Sequence, residues 1–296
     1  MNLFHKVRGS LALAAMFLNT LICIVPLYLL TGLKMLFKGP RAQLWLSHGL
    51  VRIAEAWTSV NNGIIALFGS LRWHIEGLDN LSKQQWYFVV SNHQSWADIL
   101  ILQRLFNRRI PMLKFFLKQE LRKVPMLGDA WWALDFPFMK RYSREEIEKN
   151  PSLKGKDLET TRIACEKFAL LPTSVMNFVE GTRFTGSKHD QQQSPFRYLL
   201  KPKAGGAAFT LGAMSGHLQT LLDVTIIYPR GTPRTLLAFL GGTIRDVQVI
   251  VHQHRIPDWA SQGDYENDPA FRARFQQWIG ELWADKDALL ASRLDG

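Results

Sequence analysis

From Gly9 to Leu33 the chain runs for 25 consecutive residues without a charged side chain. About 20 apolar residues are enough to cross the hydrocarbon core of a bilayer, so this segment has to be buried in lipid or against protein. A cleaved signal peptide has an apolar region of roughly 7–15 residues followed by small residues at the cleavage site. Here Tyr28, Lys34 and Lys38 stand where that site would fall, and a retained membrane helix is expected. Pro26 is expected to kink it, or to end one arm of a helical hairpin dipping into one leaflet. Lys6 and Arg8 on one side and Lys34, Lys38 and Arg41 on the other give no clear asymmetry. Basic flanks at both ends favour a hairpin with both ends cytoplasmic.

Leu44, Leu46, Leu50, Ile53, Ala54, Trp57, Val60, Ile64 and Leu67 then recur at helical spacing. With Trp45 and Trp57 this stretch suits either a membrane interface or an ordinary core helix. Residues 1–71 are therefore expected to form N-terminal membrane-anchoring helices.

Beyond Leu71, short apolar runs alternate with helical stretches, which predicts an α/β domain over 72–296: a mixed central sheet flanked by helices. Strands are expected at Trp86–Ser91, Pro111–Phe115, Leu134–Met139, Ser174–Val179, Asp223–Tyr228, Thr235–Leu240 and Val247–His252. Helices are expected at Ala97–Phe106, Lys156–Leu170, Ala204–Ser215 and Pro269–Leu290. Polar segments at Tyr142–Lys156 and Ser187–Ser194 are expected to be surface loops.

The formal charge of +11 points to a polyanionic partner. Seven bases (Arg104, Arg108, Arg109, Lys114, Lys118, Arg122, Lys123) against Glu120 put +6 of it between residues 104 and 123. Residues 258–296 are acidic, with eight acids against four bases. Interleaved with Phe115, Phe116, Leu117 and Leu121, the basic segment suits anionic lipid headgroups. No recognition helix, zinc finger or basic zipper accompanies it, so nucleic acid is not expected as a partner. Two cysteines, Cys23 and Cys165, exclude a disulfide scaffold and a cysteine-based zinc knuckle.

Two segments carry chemistry. In Val89-Val-Ser-Asn-His93-Gln-Ser-Trp-Ala-Asp98 an apolar strand ends in a polar turn and a helix begins near Trp96. Five residues apart on one helix, His93 and Asp98 would diverge by about 140°. With His93 in the turn and Asp98 in the first helical turn, the carboxylate can fold back on the imidazole and make it a competent base. Ser95 to Asp98 also reads as a plain capping box. In Asn177-Phe-Val-Glu180-Gly-Thr-Arg183, a second strand runs into a turn. Gly181 would allow close backbone approach there, and Arg183 offers a fork for phosphate. A surface hairpin with an ion pair is the plainer alternative. The chain has no G-x-S-x-G elbow, P-loop or dinucleotide fingerprint. His93 without a protein nucleophile points to activation of a substrate hydroxyl or of water. His252 and His254, alternate on one strand, lack a third ligand nearby in sequence, so no metal is expected.

Asn92-His93-Gln-Ser-Trp-Ala-Asp98 resembles the HX4D motif of the glycerolipid acyltransferases, the 1-acylglycerol-3-phosphate O-acyltransferase superfamily. Phe138-Met-Lys-Arg141, Glu180-Gly-Thr-Arg183 and Val224-Thr-Ile-Ile-Tyr-Pro229 resemble its second, third and fourth motifs, in order. Lys118-Gln-Glu-Leu121 with Pro125 and Gly128 resembles the segment between the first two. The resemblance covers residues 72–242. It lies nearest the branch acting on lysophosphatidate and lysocardiolipin, in a bacterial-type membrane-bound form. Val179 stands for the usual proline before the third motif and Asp135 for the usual glycine before the second, which bears on acceptor choice.

The resemblance implies that His93, oriented by Asp98, deprotonates the free hydroxyl of a lysophospholipid, with lysophosphatidate foremost. The alkoxide then attacks the thioester of acyl-CoA or acyl carrier protein, without an acyl-enzyme. It assigns acceptor binding to Arg141, Glu180, Gly181, Thr182 and Arg183, and Lys118 is a further phosphate contact. No cofactor beyond the thioester co-substrate is implied. The setting implied is the inner membrane, with the catalytic domain facing the cytoplasm. The alternative is a non-catalytic lipid-binding protein of the same fold, or a hydrolase in which His93 activates water.

Overall fold

The computed structural model describes residues 1–139, 149–150, 168, 171–214 and 216–295. The chain opens with two antiparallel helices, α1 (Leu3–Leu36) and α2 (Pro40–Phe68). Asn2 caps α1 by accepting from the His5 N–H, and Pro40 sits in the first turn of α2, where its missing N–H costs nothing. Pro26 neither ends an arm nor interrupts the assignment: α1 continues ten residues past it, and the hairpin turns at Phe37–Gly39 instead. Asn19 on α1 meets Asn61 on α2 at 2.9 Å, a buried amide pair that fixes the register of the two helices.

Six strands form the main sheet, in the order β1-β8-β7-β2-β6-β3. They are β1 (Arg72–Glu76), β2 (Tyr87–Ser91), β3 (Leu113–Phe115), β6 (Ser174–Asn177), β7 (Thr220–Ile227) and β8 (Asp246–Arg255). All neighbouring pairs are parallel except β7 with β8, so the sheet is mixed, as expected. Two short strands, β4 (Leu117–Lys118) and β5 (Phe138–Met139), pair separately. Every residue of β2 is buried, which is why its sequence is a continuous apolar run without polar alternation. The two faces separate cleanly. Tyr87 and Val89 join one core with Leu222, Val224 and Ile226. Phe88 and Val90 join the other with Leu221 and Ile227.

The first core is covered by α3 (Ala97–Phe106), α7 (Leu236–Leu240) and the inner face of α1 through Ala12 and Met16. The second is covered by α6 (Ala204–Ala213) and α8 (Pro269–Asp295). Helix α1 docks closely on α7 because glycines meet there. A Cβ on Gly9 would lie 2.8 Å from the Leu237 oxygen, and one on Gly241 would collide with the His5 oxygen. Farther along, α1 binds the segment around α4 (Leu127–Ala133): Tyr28 Oη donates to Asp129 and Lys34 pairs with Asp135 at 3.0 Å. Asp135 has φ of +58°, the backbone geometry that explains the glycine usual there.

Several expectations need correction. Thr235–Leu240 is not a strand. Thr235 caps helix α7 by accepting from the Ala238 N–H at 3.1 Å, and so short an apolar run carries no periodicity to tell the two apart. Within Ser187–Ser194, the loop is largely the helix α5 (Gly186–Gln192), capped by Thr185. Of Leu134–Met139 only the last two residues pair as strand, and β1 went unforeseen because its residues are mostly exposed. The loop expected at 142–156, the helix expected at 156–170 and Arg141 fall largely or wholly outside the described residues.

Candidate active site

Strands β2, β6 and β7 are parallel neighbours, so their C-terminal ends open on one edge of the sheet. Such edges are where open α/β sheets hold ligands, because the loops that follow diverge there. His93 follows β2, Glu180 to Arg183 follow β6, and Tyr228 follows β7. Asn92 locks the first of these loops in place. Its side-chain oxygen accepts from the Ile226 N–H at 2.8 Å and its amide donates to the Ile226 oxygen at 2.9 Å, so it serves β7 as an extra strand residue would.

His93 Nδ1 lies 2.9 Å from Asp98 Oδ2. A carboxylate only accepts, so the proton sits on Nδ1 and Nε2 is the nitrogen left to act. The same Oδ2 accepts from the backbone N–H groups of Gln94 (2.6 Å) and Ser95 (2.8 Å). The capping contacts of Asp98 and its contact with the imidazole therefore coexist on one oxygen. At the N3 position of the Ser95–Asp98 capping box its carboxylate accepts from two amides just ahead of α3, which places Oδ2 beside the imidazole. Asp98 is wholly buried, while the His93 side chain is 12% exposed. The imidazole stacks on Phe178, with centroids 3.9 Å apart and planes 15° from parallel.

Beside His93 a cleft of about 820 Å³ extends toward the turn after β6. Its polar lining includes Lys118, Thr182 and Arg183, and its apolar wall includes Phe115, Phe116 and Phe209. The structure thus brings His93, Lys118, Gly181, Thr182 and Arg183 to one space. Gly181 has φ of +68°, a left-handed turn that glycine adopts without strain. The Arg183 guanidinium lies 4.8 Å over the ring of Trp96, which is 57% exposed. Lys188 donates to Thr182 Oγ1 at 2.7 Å and to the Arg183 oxygen at 3.2 Å, bracing the turn from α5. Lys118 pairs in register with Met139, so the second motif starts beside the cleft.

Glu180 sits elsewhere than its expected role suggests. Its carboxyl is fully buried behind the cleft and accepts from the backbone N–H groups of His93 (3.4 Å) and Leu200 (3.3 Å). Burial, only partly offset by those donors and by Lys286, pushes it up to about 8. Here it holds the backbone that carries the imidazole. Lys286 of α8 is equally buried, pairing with Asp223 at 2.6 Å and donating to the Val224 oxygen at 2.7 Å; burial lowers its pKa. His252 and His254 do have a third group nearby, which sequence spacing could not reveal. Asp223 sits across the β7–β8 pair, with candidate ligand atoms within 4.8 Å, but its carboxylate is already neutralised by Lys286.

Sequence reasoning missed Tyr228, Phe178 and Trp96. Tyr228 Oη donates to Asp98 Oδ1 at 2.5 Å from 130 residues away. Its sequence signal was its place in the fourth motif, Val224–Pro229, which gave it no role beside the imidazole.

The first, third and fourth motifs meet at this edge of the sheet, and the class is that of the acyltransferases: the family model of that description matches residues 72–229, more than half of the chain, and the chain belongs to that family. Among individual proteins, it is 25% identical over 224 residues to 1-acyl-sn-glycerol-3-phosphate acyltransferase gamma of Mus musculus, across 72% of this chain and 54% of that one. It is 21% identical over 276 residues to lysocardiolipin acyltransferase 1 of Gallus gallus, across 89% and 68%. The chain thus spans from about half to just over two-thirds of the length of these curated relatives. In fold it is similar to the 1-acyl-sn-glycerophosphate (LPA) acyltransferase PlsC of Thermotoga maritima, with a TM-score of 0.52, 19% identity, and coverage of 95% of this chain and 98% of that one.

Proposed function

We propose that this protein is a membrane-bound acyltransferase that moves a fatty acyl chain from a thioester donor to the free hydroxyl of a lysophospholipid, lysophosphatidate foremost. The observation that carries this reading is the cleft shared by the His93–Asp98 pair and the Gly181-Thr182-Arg183 turn. His93 Nε2 takes the hydroxyl proton as the oxygen attacks the thioester carbonyl. The tetrahedral intermediate collapses, the imidazolium returns its proton to the departing thiolate, and an ester and a free thiol leave. Asp98 holds the required tautomer and stabilises the imidazolium. Arg183, assisted by Lys118 and Thr182, pairs with the acceptor phosphate, and the resemblance gives Arg141 a part in acceptor binding. Acyl-CoA or acyl carrier protein supplies the thioester.

Helix α1 supports membrane association. Leu11, Leu18, Ile22, Val25 and Leu29 form one stripe of large side chains, each more than half exposed. Its opposite face is held along the domain by α7 and the α4 segment, which favours embedding in one leaflet; the resemblance makes that leaflet the cytoplasmic one of the inner membrane. The test uses purified protein with lysophosphatidate and either donor, products read by mass spectrometry. His93→Ala is expected to lower turnover by about 10²–10⁴-fold, the usual size of a general-base contribution, with membrane binding retained. Near-normal transfer by that variant would remove His93 from the mechanism.

A further inference from the structure

Asp98 takes four hydrogen bonds, and they are not equivalent. Three converge on Oδ2: His93 Nδ1 and the backbone N–H groups of Gln94 and Ser95. All three come from the same short turn. Oδ1 receives the Tyr228 hydroxyl at 2.5 Å, from the end of β7. Asp98 has no exposure and Tyr228 has 1%, so water does not replace that donor. An aspartate carboxylate turns about a soft, roughly two-fold torsion. The turn places Oδ2, and the Tyr228 contact holds Oδ1, so the two together set the plane of the carboxylate.

We propose that Tyr228 is a positioning residue for the proton-transfer pair, fixing the plane of the Asp98 carboxylate so that Oδ2 meets His93 Nδ1 and Nε2 faces the cleft. This inference rests on the reading of His93 as the base and adds the group that orients its orienter. Burial first, and then the Asp98 charge, push the Tyr228 hydroxyl well above its usual range, so it stays a donor throughout the working pH range. The hydroxyl also disperses part of the Asp98 charge, which weakens the carboxylate's pull on the imidazolium. Other charged groups around the pair are Arg234 from the loop after β7, Glu180 from the turn after β6, and Lys286 from α8. They are common to the wild type and the variants below.

The experiment compares kcat, KM and the pH profile for the wild type, Tyr228→Phe, Asp98→Asn, the double variant and His93→Ala, all as full chains in detergent. Tyr228→Phe is expected to lower kcat by about 10–100-fold, the range seen when a group supporting an active-site ligand is removed, with KM for both substrates held within about two-fold. The acid limb of its profile moves to higher pH, because Asp98 binds the imidazolium more strongly without the hydroxyl. In the Asp98→Asn background the same substitution is expected to change kcat by less than about two-fold, since Tyr228 acts through Asp98. Incorporating 3-fluorotyrosine at 228 keeps shape and hydroxyl, makes a stronger donor, and is expected to move the acid limb the opposite way. An unchanged kcat in Tyr228→Phe, a loss that repeats fully on Asp98→Asn, or an unmoved acid limb with fluorotyrosine would overturn the inference. Should His93→Ala keep its activity, the base assignment fails instead, and the two failures are told apart by that one variant.

Discussion

Replacing Glu180 with glutamine tests the claim that a buried, proton-holding carboxyl stands behind the imidazole. Glu180 has no exposed surface and its carboxyl rises from 4.5 to about 8. Below pH 4.5 the folded and unfolded chains both hold the proton, and the full stability is present. Between 4.5 and 8 the unfolded chain has lost the proton while the folded chain keeps it, so stability falls as pH rises; above 8 the loss is complete. About three and a half pH units at ~1.4 kcal/mol each give roughly 5 kcal/mol. Glutamine cannot ionise, and its single oxygen serves only one of the two amides, at a constant cost of about 1–3 kcal/mol. Glu180→Gln is therefore expected to melt below the wild type at pH 5 and to gain on it up to about pH 8, levelling off by pH 9. At roughly 2 °C per kcal/mol for a chain of this size, the melting difference swings by roughly 10 °C. Melting curves in detergent at half-unit pH steps provide the assay, because every other titrating group is common to both proteins. Parallel curves from pH 5 to 9 would show that Glu180 is ionised in the folded state, and the account of its burial would be wrong.

Two further outcomes follow from contacts already described. Arg183→Ala is expected to raise KM for a phosphate-bearing acceptor by about tenfold, in line with one charged hydrogen bond, while kcat changes less; an acceptor lacking the phosphate would show no such rise. Gly241→Val places a side chain against the oxygens of His5 and Leu237, where α1 and α7 touch. It is expected to cost about 1–3 kcal/mol, as overpacking does, read as a lower melting temperature, whereas Gly212→Ala, with open space around it, leaves the melting temperature nearly unchanged.

Much of the site was legible because it is written locally. The turn between β2 and α3 places His93 two residues ahead of the Ser95–Asp98 capping box, and spacing alone said that they meet only if the helix starts between them. The turn after β6 announced itself by a glycine beside an arginine. Other features were not written locally. Glu180 carries the same letters whether it faces an acceptor or a backbone amide, and only the packing of Leu200 and His93 around it decides which. Thr235–Leu240 has too few residues to show a period, so its helix depended on a threonine cap and on α1 lying across it.

What the sequence by itself determined, then, is whatever a handful of neighbouring residues can enforce: a 25-residue uncharged apolar segment, a central strand apolar on both faces, a capped turn holding an imidazole near a carboxylate. Tertiary structure alone decided which distant groups complete the site. Tyr228 reaches Asp98 across 130 residues because β7 lies beside β2 in the sheet. Lys286 reaches Asp223 because α8 closes the second core. Strand order and helix docking are settled by the burial of whole faces, a collective property of the chain that no local spacing records.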